Sequence, residues 1–373
     1  MKRLLFCLLS CACVLSLLLC GCGTTGGQVP DFEEVPESSE EPVPEHVGFY
    51  NNLSGLYELD TKEKESARPV AIMINNISVA QKVQSGLGKA SIVYESFAEG
   101  GITRLLAVFK DAASIPQVGS LRSARYSYID LACGHDAVYV HCGRDPNYTL
   151  TKMTNMGLDN YDFNSGYGGP YCFRVDNGLA WEHRLFTTGE LLVKALEDGG
   201  RRMTVDDKHS GAWANFADED EIVKPIGSKA KEISVFFSAS YITNFKYDSE
   251  SGLYLKFNRD TPNIDGDTGE QYGYKNLFVL FTNVGTFDDN YRVYSELKGG
   301  DGYYICNGSC QPIKWAKGDV YDSFKFTDED GRSLLVNAGN SYVCLTSLSA
   351  RSRTTIESGE PETSSAVGSS VHD

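Results

Sequence analysis

Residues 90–109 read "ASIVYESFAEGGITRLLAVF". Two short runs rich in β-branched and aromatic residues are joined through Gly100-Gly101, the pattern of two strands and their connection. The second run, "ITRLLAVF", is apolar on both faces apart from Arg104. It therefore predicts a central strand with helices covering it.

Working outward, "PVAIMI" before this stretch and "DAVYVHC" after it are further strand-like runs. Ser120–Cys133 and Thr187–Glu197 instead carry apolar positions at helical spacing. The alternation predicts an N-terminal α/β domain over residues 67–205. In "WANFADEDEIVKPIGSK" the period disappears and charge, Pro225 and Gly227 replace it, so residues 206–227 read as a connector. Beyond it, "ISVFFS", "NLFVLFTNV" and "GDGYYICNGSCQPIKWAKG" alternate faces and turn at Gly-containing pairs, predicting a C-terminal antiparallel β-rich domain over 228–349. The expected fold class is α+β overall, with two halves that fold separately.

The chain opens "MKRLLFCLLSCACVLSLLLCGCG", a basic start and an apolar run closing on small residues, as in an export signal over residues 1–21. "LCGC" at 19–22 resembles a bacterial lipobox, which places lipidation at Cys22 and leaves an anchored chain on the extracytoplasmic face of the membrane. Residues 22–66 are rich in Pro, Gly, Ser and acid and read as a disordered tether; 350–373 read as a disordered tail.

A formal charge of −16 argues against nucleic-acid binding, which needs a basic face. Eleven cysteines divide into five near the N-terminus and six beyond, an even number in a compartment that permits disulfides. Cys306 and Cys310 flank a turn, and a bridge across that hairpin is plausible from the spacing alone; zinc would need two more ligands nearby, which are missing. Asp265, Asp267 and Glu270 lie close in sequence, but Gly269 occupies a position where a calcium loop needs an oxygen ligand, so a hairpin turn is the better reading. No G-x-S-x-G, H-E-x-x-H or phosphate-loop motif occurs, and neither a metal nor a cofactor is expected.

"RPVAIMINN", "QSGLGKASIVYESFAEGGITRLLAVF", "GSLRSAR", "DAVYVHCG" and "DEDGRSLLVNAGNSYVCL" together resemble the YerB-like lipoprotein family. The resemblance implies a surface lipoprotein, mostly of Gram-positive bacteria, with two named domains and unknown activity. The family usually carries Pro where this chain has Ser120, and a Pro-His-Asn-Leu-Tyr type run where this chain has "EHRLFT" at 182–187.

With a helix starting near Ser120, Arg122 and Arg125 would share one face of its first turn, where the helix dipole disfavours cations and calls for negative company. Glu95, Glu99 and Arg104 surround the nearby strand ends, and His141 closes "DAVYVHC". These six residues form the expected site, read either as an internal ion network or as a cleft for an anionic or cell-wall-derived ligand or an envelope protein. The alternative is a cell-wall polymer hydrolase or modifying enzyme in which His141 works with Glu99, Asp130 or Asp136. A half-buried histidine held by a backbone carbonyl is the plainer reading of His141, and of His183. Whether the protein is an enzyme, and its oligomeric state, stay open at this level.

Overall fold

The computed structural model describes residues 46–359, apart from Tyr167 and Asn290. The expected signal segment, Cys22, most of the tether and the end of the tail lie outside the described residues.

The centre is an eleven-stranded sheet. Its principal strands in chain order are β1 (Val70–Asn75), β2 (Ile92–Phe97), β3 (Thr103–Phe109), β4 (Val138–His141) and β5 (Asn160–Asp162). A second, six-stranded antiparallel sheet is built on β6 (Glu232–Ser238), β7 (Tyr241–Asp248) and β8 (Leu253–Asn258). The chain then returns to the central sheet with β9 (Asn276–Thr282), β10 (Gly299–Cys306), β11 (Ser309–Ala316) and β12 (Ser341–Ser347). Three α-helices, α1 (Tyr126–Cys133), α2 (Tyr148–Met156) and α3 (Gly189–Asp198), complete the described residues' longer elements.

Across the central sheet the order is β11, β10, β9, β12, β2, β3, β1, β4, β5. β3 lies antiparallel between β2 and β1 and is buried at every position, as its two-sided apolar pattern requires. One face of the β2–β3 pair meets the second sheet rather than helices: Val93 of β2 and Leu105 of β3 pack in one core with Phe237 and Phe245. The other face of the pair carries Leu106 of β3 and Tyr94 of β2 against α1 and Trp213.

Two expectations are corrected by β12. It pairs in parallel with β9 on one side and with β2 on the other, so the C-terminal half is not purely antiparallel and the two halves do not build separate sheets. The physical reason is visible in the sequence of β9, "NLFVLFT", buried at all seven positions. A strand apolar on both faces needs cover on both faces and neighbours on both edges, and only a central position supplies them. The change of period near residue 205 marks a change of topology within one sheet.

Packing also extends past the expected boundaries. Residues 46–66, assigned to the tether, contain a hairpin of Phe49–Asn51 with Leu56–Leu59, and Leu53 is buried beside Trp213. Trp213 itself, in the expected connector, is only 3% exposed. Thr355–Glu357, from the expected tail, adds an edge strand to β6.

The Cys306–Cys310 bridge is corrected by register. Asn307 and Gly308 both have positive φ, 47° and 70°, so they form a two-residue turn of the type that suits hairpins. That turn pairs Cys306 with Ser309 and Ile305 with Cys310. Neighbouring positions alternate faces, so the two thiols enter opposite cores and remain free.

Candidate functional site

β1, β2, β4, β5, β9 and β12 all run one way, and their C-terminal ends share one edge of the central sheet. Such edges commonly carry ligand crevices in sheets with parallel strands. β3 begins at this edge and places Arg104 opposite Asn75 of β1 and Ser96 of β2.

The arginines do not occupy a helix's first turn. α1 starts at Tyr126, and Arg125 is its extended N-cap residue, with φ −132° and ψ 152°. Arg122 lies in the extended segment before it, its N–H donating to the Met73 carbonyl (2.9 Å) and its carbonyl accepting from Cys142 N (3.0 Å). The backbone groups that a helix would use internally are thus spent on pairing with the sheet. Leu121 and Ala124 turn into the cores, which leaves Arg122 and Arg125 half-exposed at the strand ends.

Four of the six expected residues gather here. Arg125 Nε binds the Glu99 carboxylate at 2.7 Å, and its guanidinium also donates to the Ala124 carbonyl (2.9 Å). Arg104, 5% exposed, has only long contacts of 3.4 and 3.5 Å to Asn75 Oδ1 and the Thr103 carbonyl. Burial, with the positive charges of Arg125 and Arg122 beside it, pulls Arg104 down to about 10. Burial also lowers Arg122, against the opposing pull of Glu182. The Nε atoms of both Arg104 and Arg122 are buried with no hydrogen-bond partner among the described residues. Three guanidiniums therefore face one closely bound carboxylate, and two buried donors are unspent.

His183 joins this group. Its Nδ1 lies 2.9 Å from Asn75 Nδ2, and burial followed by the charge of Arg122 lowers its pKa. Accepting from Asn75 fixes the neutral ring with its proton on the other nitrogen. In the sequence His183 stands as a lone histidine; the signal that could place it is Asn75, a polar residue ending the apolar run "PVAIMIN".

Glu95 and His141 are not part of the cluster. Glu95 alternates with Ser96 and points to the opposite side of the sheet, where it is fully buried and accepts from four neutral donors: Asn76 Nδ2, Thr103 Oγ1, Thr243 Oγ1 and Tyr342 Oη, between 2.6 and 2.9 Å. The fully buried Lys256 lies near enough for Glu95 to favour its charged form, although burial lowers it overall. His141 is buried between β4 and β5, its Nδ1 3.0 Å from the Gly143 carbonyl and its Nε2 3.2 Å from Asn160 Oδ1. Both ring nitrogens are occupied, and the closest carboxylate, Asp162, stands 3.7 Å away. Desolvation lowers its pKa, and the side chain is fully buried.

Other acidic groups are committed. Asp136, Asp206 and His209 bring ligand atoms within 4.8 Å of one another, but Asp136 is held by Arg202 at 2.6 Å and Arg68 at 3.5 Å. Asp265 accepts from the amides of Gly86, Asp267 and Thr268, which makes it a turn-closing residue.

Comparison with known proteins agrees with this architecture. Residues 53–202 match the profile described as "Protein of unknown function (DUF3048) N-terminal domain", and 233–343 match its C-terminal domain. "Putative lipoprotein YerB" of Bacillus subtilis strain 168 is 30% identical over 266 residues, 70% of this chain and 76% of that protein. The crystal structure of B. subtilis YerB is similar with a TM-score of 0.70 at 25% identity, over 83% of this chain and 99% of the other. The chain belongs to the DUF3048 family, the family that includes YerB.

Proposed function

We propose that this protein is a lipid-anchored envelope protein that binds an oxyanion-bearing ligand, through a carboxylate or phosphate group, at the cleft of Arg104, Arg122 and Arg125. The observation that carries the reading is the pair of buried, unpartnered Nε atoms on Arg104 and Arg122. An arginine taken out of water needs a carboxylate, a phosphate or a full set of acceptors, and among the described residues Glu99 makes its hydrogen-bonded ion pair with Arg125 and not with Arg104 or Arg122. Planar guanidiniums suit bidentate capture of such groups. The address rests on the lipobox-like "LCGC" and on the similarity to a protein named as a lipoprotein. No helix among the described residues is long and apolar enough to cross a membrane.

The test uses the full chain, produced with and without Arg122→Met. Inorganic phosphate, and carboxylate-bearing fragments of bacterial cell wall, are titrated into each by calorimetry. The wild-type chain is expected to bind one of these classes and the variant to bind it at least tenfold more weakly, about 1.4 kcal/mol. Equal affinity in the two proteins, or no binding to either class, sinks the reading. Fatty-acid labelling in the producing bacterium tests the anchor; unchanged labelling in Cys22→Ala removes it.

A further inference from the structure

β3 carries a cation at each end. Arg104 lies near its start, and Lys110 follows its last residue, roughly 20 Å away at the rise of a β-strand. Lys110 is 2% exposed, and its Nζ is buried with no hydrogen-bond partner among the described residues. It lines a cavity of about 570 Å³ at the opposite edge of the central sheet from the arginines, a volume within the range of small-molecule sites.

The acids around this cavity are already engaged. Lys64 bridges Asp60 and Asp111 at 2.7 Å each. Glu58 accepts from Asn51 Nδ2 (2.6 Å) and Ser54 Oγ (2.7 Å). Glu65, the carboxylate whose charge opposes the desolvation of Lys110, accepts from the Tyr50 N–H at 2.9 Å. Lys110 is thus left without a contact partner, and Lys89 stands exposed on the rim. Ser91 Oγ also lines the cavity; it accepts from Asn51 Nδ2 (3.1 Å), and its own proton is free to donate.

We propose that this cavity is a second anion site, in which the buried Lys110 ammonium and the Ser91 hydroxyl hold the carboxylate of a small monoanionic ligand. Charge selects the class. One unpaired ammonium stands among Glu58, Asp60 and Asp111, so a dianionic phosphate meets about twice the repulsion that a single carboxylate does. The site is independent of the arginine cleft and survives if that reading fails. Burial brings Lys110 down to about 8, whereas its neighbour Lys64 is raised by Asp111 and Asp60 and keeps its charge. Affinity should therefore fall as pH rises through about 8, when Lys110 loses its proton.

The experiment titrates acetate, N-acetylalanine and inorganic phosphate into the full chain carrying Arg122→Met, which removes competition from the arginine cleft, and into the same chain with Lys110→Met. A carboxylate probe should bind the first and bind the second at least tenfold more weakly. It should also bind at least tenfold more weakly at pH 9.5 than at pH 6.5 when Lys110 is present. Binding by phosphate in preference to both carboxylates, or equal carboxylate affinity with and without Lys110, overturns the proposal. If Lys110→Met fails to fold, the pH series on the parent decides, and an affinity that stays constant from pH 6.5 to 9.5 overturns it equally.

Discussion

His135 shows how a single residue can set acid sensitivity. Its Nε2 lies 2.8 Å from Tyr94 Oη, and its ring packs near Trp213. Burial, followed by the nearby charges of His209 and Lys317, pushes its pKa down to about 3. An unfolded histidine takes a proton near pH 6.5, so between about pH 6.5 and 3 the unfolded chain binds the extra proton and the native one does not. Stability is full above that window and declines as pH falls through it. Between pH 7 and 4.5 we expect His135→Gln to lose less stability than wild type, by on the order of 2 kcal/mol. Urea midpoints at the two pH values check this, and parallel losses in both proteins refute it. Nothing in "GHDAVYV" announces such burial, because Trp213 and Tyr94 come from distant segments. The arginines were legible as a pair that needs anionic company. Their backbone was not, since a spacing of three reads as one helical face when the pairing partners Met73 and Cys142 are unseen.

At the level of elements, the sequence carried strands better than helices. "ITRLLAVF" and "NLFVLFT" advertise two-sided burial through composition alone, whereas α2, "YTLTKMTNM", buries only Thr149 and Met153 and leaves little periodic signal. The β10–β11 hairpin gives a sharp test. Its Asn-Gly turn fixes which thiol faces which core, so alkylation of the unreduced, denatured protein should label Cys306 and Cys310 separately by mass spectrometry; a linked peptide pair would contradict the register. Gly308→Val should destabilise the protein by about 1–2 kcal/mol or more. A side chain at φ 70° is strained, and its Cβ would stand 3.0 Å from the Tyr247 ring. Thermal unfolding measures it, and an unchanged midpoint would show that the turn can relax at no cost.

For the molecule as a whole, β12 decides cooperativity. It occupies the middle of the central sheet, so deleting residues from Ser341 onward should expose the edges of both β9 and β2 and unfold the N-terminal half as well. Circular dichroism and size exclusion of the truncated chain check this; a fragment of residues 46–205 that melts cooperatively by itself would overturn it. Cleavage within 206–227 should likewise leave the pieces associated, because they share one sheet. The two-period pattern of the sequence was real, but periodicity is local and reports nothing about which strand neighbours which.

The place of β12 also fixes a timetable. Glu95 and Tyr342, which meet across neighbouring strands, are 247 residues apart in the chain. At about 5–20 residues per second of synthesis, β2 waits ~12–50 s for the strand that covers its edge. Until β12 has been made, the strands β1–β5 and the strands β9–β11 stay unjoined. For a protein that is exported as proposed, this delay is useful: the two halves of the central sheet join only after β12 has crossed the membrane.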